Sequence, residues 1–68
     1  MKTTNKAPIG SVWMGETKDG EAITVRVTSD PIPGNELRRI VITSRDYRAC
    51  EEENVIGKNW FRRAVWVR

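Results

Sequence analysis

The sequence predicts an all-β fold, a small SH3-like, partly open barrel of about five strands. Three observations carry this expectation. Short runs of strand-forming residues recur at roughly ten-residue spacing, with turn signals between them. One run, Glu21 to Ser29, alternates cleanly: Ile23, Val25 and Val27 fall on one face, Thr24, Arg26 and Thr28 on the other. Near the end, Lys58 to Arg63 fits a single helical turn ahead of a last short strand, the position an SH3-like barrel gives its late turn. The competing architecture is a two-layer α+β fold in which a real helix lies within residues 45–63.

Taken in chain order, residues 1–8 are polar and aperiodic and read as a flexible N-terminal arm, leaving residues 9–68 as one small barrel domain. Ile9 to Met14 reads as a first strand. Lys18-Asp19-Gly20-Glu21 follows, and Asp-Gly is among the strongest hairpin signals because glycine accepts the positive φ a tight turn demands. After the Glu21–Ser29 strand, Asp30-Pro31-Ile32-Pro33-Gly34-Asn35 must be a loop, since proline cannot donate to a ladder. It would either line a binding groove or act as a rigid connector. Leu37 to Ser44 reads as a strand with Ile40 and Ile42 on one face and Arg39, Val41 and Thr43 on the other. Residues 45–57 fit either a continuing strand through Tyr47 and Cys50 or an acidic turn at Glu51-Glu52-Glu53-Asn54. Ala64 to Arg68 reads as a last strand. If Val65 and Val67 point inward there, Trp66 points outward.

Composition narrows the function. Among 68 residues there is one cysteine, Cys50, and no histidine, so neither an internal disulfide nor an ordinary zinc site can be built. The commonest general base is missing, and no nucleophile elbow or phosphate loop occurs. The expectation is a protein that is not an enzyme and carries no cofactor. Cys50 reads as a small buried hydrophobe. Glu51, Glu52 and Glu53 are consecutive, so on a strand or a helix their carboxylates diverge and a solvated acidic turn is the simpler reading than a metal site. No apolar run is long enough to span a bilayer, and the start lacks a signal-peptide stretch, which suggests a soluble cytoplasmic protein.

The candidate binding surface lies at the C-terminal end. Lys58, Arg62, Arg63 and Arg68 carry positive charge there with no acid among the last eleven residues. Trp60, Phe61 and Trp66 put aromatic faces beside those cations, a combination suited to stacking on single-stranded nucleic acid. The same tryptophans, Trp13 and Trp60 above all, are also what a small core needs. Arg26 belongs on the solvent side of its strand, and Arg38, Arg39 and Arg48 complete a scattered cationic set. A net charge of +3 is low for a dedicated nucleic-acid binder, and the Glu51–Glu53 cluster would repel phosphate. A protein partner is therefore favoured: docking on a host or phage protein, or self-association as a homo-oligomer, through an apolar patch around Trp66 or an exposed strand edge. No membrane partner is expected.

Gly10 and Trp13, Asp19-Gly20, the strand Ile23-Thr24-Val25-Arg26-Val27-Thr28, Arg45-Asp46-Tyr47-Arg48-Ala49-Cys50, and Phe61-Arg62-Arg63 with Val65 and Val67 form a recognisable series. In these positions the chain resembles short proteins of enterobacterial lambdoid prophages of unknown function. The loop at Asp30 to Asn35 is longer than that pattern, and Ala64-Val65 stands where a bulkier aromatic pair would be expected. The resemblance implies a phage or prophage accessory protein in the bacterial cytoplasm, and it brings no catalytic residues with it.

Overall fold

The computed structural model describes residues 7–34 and 37–68. Five strands and one helix follow in order: β1 (Val12–Glu16), β2 (Ala22–Val27), β3 (Arg38–Arg45), β4 (Arg48–Ile56), α1 (Lys58–Arg63) and β5 (Val65–Trp66). They form one antiparallel sheet of order β4-β3-β2-β1-β5. The first four strands make a meander and the fifth returns to β1 after one short helix, so the predicted five strands and late helical turn are present. The sheet stays open, with β4 and β5 at its two ends.

Local chemistry explains each turn. Between β1 and β2, Gly20 donates to Thr17 O at 2.9 Å, Thr17 donates to Glu21 O at 2.9 Å, and Gly20 takes φ +86°. This is a type I turn closed by a glycine bulge, which is why Asp19-Gly20 stands here. Between β3 and β4 the loop is only Asp46-Tyr47, with φ of 51° and 68°. Two left-handed residues in succession make a type I′ turn, the twist match for a two-residue hairpin. Residues 45–57, open in the sequence reading, are therefore mostly strand. Glu51, Glu52 and Glu53 lie in β4 and not in an acidic turn. The first strand begins at Val12, three residues later than predicted, because Pro8 O accepts both the Ser11 amide and its hydroxyl and holds residues 8–11 in a turn. Residues 1–6 of the predicted arm lie outside the described residues; Ala7 is buried in the core.

Two register shifts bend the sheet. One falls between Thr24 and Val25 where β2 meets β3, the other between Ile42 and Ser44 where β3 meets β4. Each inserts an extra residue, which strengthens the local twist. Side chains occupy the disturbed ladder: Thr43 Oγ1 donates to Thr24 O, Ser44 Oγ to Thr24 Oγ1, and the Cys50 thiol to Ile42 O.

The curled sheet encloses Trp13, Ile23, Val25, Val27, Ile40 and Ile42, and α1 closes it with Phe61, which is fully buried. The alternation read in β2 holds residue by residue. In β3 the same phase carries one more residue inward: Arg38 is buried beside Ile40 and Ile42, its guanidinium 5.5 Å from the Phe61 ring centre. Six residues are too few for a stable isolated helix. Packing of Phe61 and Trp60 on the sheet holds α1 in place.

Candidate surface at the sheet's C-terminal edge

All three tryptophans and Phe61 form one aromatic chain. Trp66 stacks on Trp13 at 5.4 Å with 12° between planes. Trp13 meets Phe61 edge-on at 5.3 Å, and Phe61 meets Trp60 edge-on at 5.3 Å. Trp13 is buried in the middle, its indole N–H donating to Ser11 Oγ at 2.9 Å. Trp60 is half-buried and donates its indole N–H to Glu16 O at 3.0 Å. Its ring lies so close over Gly15 that a Cβ there would meet Trp60 Cζ2 at 2.7 Å.

Trp66 ends the chain and is 54% exposed. The predicted reason for that exposure is corrected. In the β1–β5 register Trp66 stands opposite Trp13 and Val65 opposite Met14, so Trp66 shares the core side and Val65 the outer side. Trp66 remains exposed because β5 is the last strand and nothing among the described residues covers its second face. Val65 and Val67, conditionally assigned inward, are exposed, as is Met14. Exposed apolar groups thus stand on both faces of this edge, Met14 and Val65 on the outer side and Trp66 on the core side.

The five residues singled out in the sequence are not brought together on one surface. Arg62 and Arg63 are exposed in the last turn of α1, where positive charge suits the helix's C-terminal end. Arg63 joins Met14, Glu16, Trp60, Ala64 and Val65 around an open cleft of about 520 Å³. Trp66 leaves β5 on the opposite side from Val65 and does not line this cleft. Arg68 is exposed, and its backbone extends the β5 pairing: its C=O accepts from Val12 N–H at 2.7 Å. Lys58 stands at the other end of α1 and is half-buried.

At the opposite end of the sheet, β4 is exposed from Arg48 to Val55. Cys50 is exposed there, not buried as expected, because the core side of an end strand has no layer above it. Arg45 clamps Glu52 through Nε at 3.0 Å and Nη2 at 2.9 Å, and reaches Glu21 with Nη1. This fork pulls the Glu52 carboxyl below its ordinary value, the hydrogen bond contributing more than the charge, while both carboxylates hold the Arg45 proton more firmly. Among the described residues no three His, Cys, Asp or Glu side chains are grouped as metal ligands, and no helix is long and apolar enough to cross a membrane. A second hollow of about 480 Å³ on the outer face is lined by Ile32, Arg39, Val41, Glu53 and Val55, so the proline loop contributes one wall through Ile32.

Sequence reasoning missed Met14 and Val65 as surface residues, since both sit in apolar runs that read as core. It also missed the Arg45 clamp, because Glu21 and Glu52 are distant in sequence and only the strand order joins them. No family model, curated protein or solved structure matches this chain.

Proposed function

We propose that this chain is a non-catalytic binding module that docks on protein through its C-terminal edge. The observation that supports this most is Trp66, a large aromatic held rigid by stacking on buried Trp13 while its other face meets solvent. Pre-ordered aromatics of this kind anchor interfaces, because little side-chain freedom is lost on binding. On the other face of the same edge Val65 and Met14 are also exposed, beside Arg63 across the cleft they line. The resemblance to prophage proteins would make this an accessory phage or prophage module acting in a bacterial cytoplasm. Capture from bacterial lysate with wild type and Trp66→Ala tests the reading. Loss of retained protein in the variant is expected, and equal retention would sink it.

The half-exposed Trp66, with exposed Arg68 two residues further along the chain, also favours a second reading, single-stranded nucleic acid stacked on the indole. Anisotropy titration with an oligonucleotide at rising salt separates the two. Binding that is undetectable at low salt, or that does not weaken with salt, removes the nucleic-acid reading.

A further inference from the structure

We propose that the partner of the C-terminal edge is a second copy of this chain, the β5 edge of one copy pairing with the β4 edge of the next to continue the sheet head to tail. The proposal rests on the docking reading above and names its occupant.

Both ends of the sheet offer backbone groups to a new strand. In β3, Arg39 gives its N–H to Ser29 Oγ at 3.0 Å and its C=O to Thr28 N–H at 2.9 Å, so both groups point toward β2. Its cross-strand partner Val55 must then turn its own groups to the open side of β4. The Val55 N–H does so, and Asn54 Oδ1 accepts it at 2.9 Å in place of a neighbouring strand. At the other end, Val67 donates to Val12 O at 2.8 Å, so the preceding Trp66 directs its backbone outward. Among the described residues neither edge is paired.

Charge decides which edge meets which. The centre of β4 carries Glu51, Glu52 and Glu53, all exposed. The residues flanking β5 are Arg62, Arg63 and Arg68, also exposed. A two-fold symmetric contact brings each patch against itself. Two β4 edges centred on Glu52, whose own charge Arg45 already holds, would set Glu51 against Glu53 of the other copy, and two β5 edges would bring arginines together, both unfavourable for directly opposed strands. Only β5 against β4 brings opposite signs together. Within the sheet β4 and β5 run in the same direction, so a head-to-tail repeat pairs them in parallel and sets exposed Val55 on the same outer face as Val65, giving the contact an apolar centre.

Such a contact does not close on itself by two-fold symmetry, so it yields rings or open chains. It is short and belongs to the weak class of interfaces. Sedimentation of the purified protein up to a concentration on the order of 1 mM tests it. At low salt the mean mass is expected to rise with concentration past that of a dimer. It is expected to fall back to monomer near 1 M salt, where screening acts within ~3 Å. Two variants carry the decisive arm. Glu51→Lys with Glu53→Lys makes both edges basic, and Arg62→Glu with Arg63→Glu makes the C-terminal edge acidic. Each alone should stay monomeric while retaining its β circular dichroism, and an equimolar mixture should assemble again. A wild type that remains monomeric at low salt overturns the proposal, as does either variant assembling alone as wild type does. If the wild type is monomeric yet Trp66-dependent capture from lysate persists, self-pairing is wrong and docking on another protein stands.

Discussion

Gly15 has no side chain because Trp60 occupies the space where one would be. Trp60 is held on two sides, by Phe61 and by its hydrogen bond to Glu16 O, so its ring cannot swing away freely. Gly15→Ala is therefore expected to destabilise the protein by about 1–3 kcal/mol, the usual cost of overpacking. Combining it with Trp60→Leu should give less than the sum of the single losses in urea unfolding. Tyr47 is a residue-scale opposite. It is 80% exposed and holds φ 68°, a conformation that costs a non-glycine residue about 1–2 kcal/mol. Replacing Asp46-Tyr47 by Asn-Gly, the pair preferred in type I′ turns, should raise stability by roughly 1 kcal/mol. An unchanged or lower urea midpoint would contradict that account of the turn. Neither residue was legible beforehand: Asp-Tyr is a weak turn signal, and a glycine's neighbour across space leaves no mark in local sequence.

At the scale of elements, the Arg45 fork joins the residue just before β2, the end of β3 and the middle of β4. Folding lowers the Glu52 carboxyl below its ordinary value, so its share of stability is full above that value and is lost as pH falls through the folded one. Acidification from neutrality to below about pH 4 should lower the wild-type unfolding midpoint more than that of Arg45→Met. Parallel curves for the two proteins would remove the fork from the account. The strands themselves were readable to different degrees for a physical reason. β2 is an interior strand with one buried face, so its Ile-Thr-Val-Arg-Val pattern alternates. β4 is an end strand with neither face covered, so burial imposes no alternation on Arg-Ala-Cys-Glu-Glu-Glu-Asn-Val, and periodicity had nothing to detect. Lys58–Arg63 was legible as a helical turn because Gly57 and the following Ala-Val-Trp-Val run bound it.

For the whole molecule, stability concentrates in one place. Phe61 touches both Trp13 and Trp60 edge-on and has no exposed surface. Truncating a buried phenylalanine costs about 3–5 kcal/mol, comparable with the total for a domain of this size at roughly 0.05–0.15 kcal/mol per residue. Phe61→Ala should therefore be largely unfolded at room temperature, seen as loss of the cooperative transition. The candidate surface was half legible: the basic, tryptophan-bearing end was visible in the chain, whereas its division into a Trp66 side and an Arg63 cleft depends on the β1–β5 register. The separation of charge was also visible as two sequence blocks, but only the strand order sends them to opposite ends of one sheet.

The return of β5 to β1 has a consequence for how the chain reaches its native state. Every other strand pairs with its neighbour in sequence, so β1 to β4 can zip up through successive hairpins. Bringing Trp66 to Trp13 closes nearly the entire chain into a loop, and its entropy makes this contact a late one. Stacking Trp66 on buried Trp13 fixes an indole in an asymmetric environment, giving the last step of folding its own near-ultraviolet circular-dichroism band. In stopped-flow refolding that band should grow in after the bulk β signal, and Trp66→Phe should erase it while leaving the earlier phase in place.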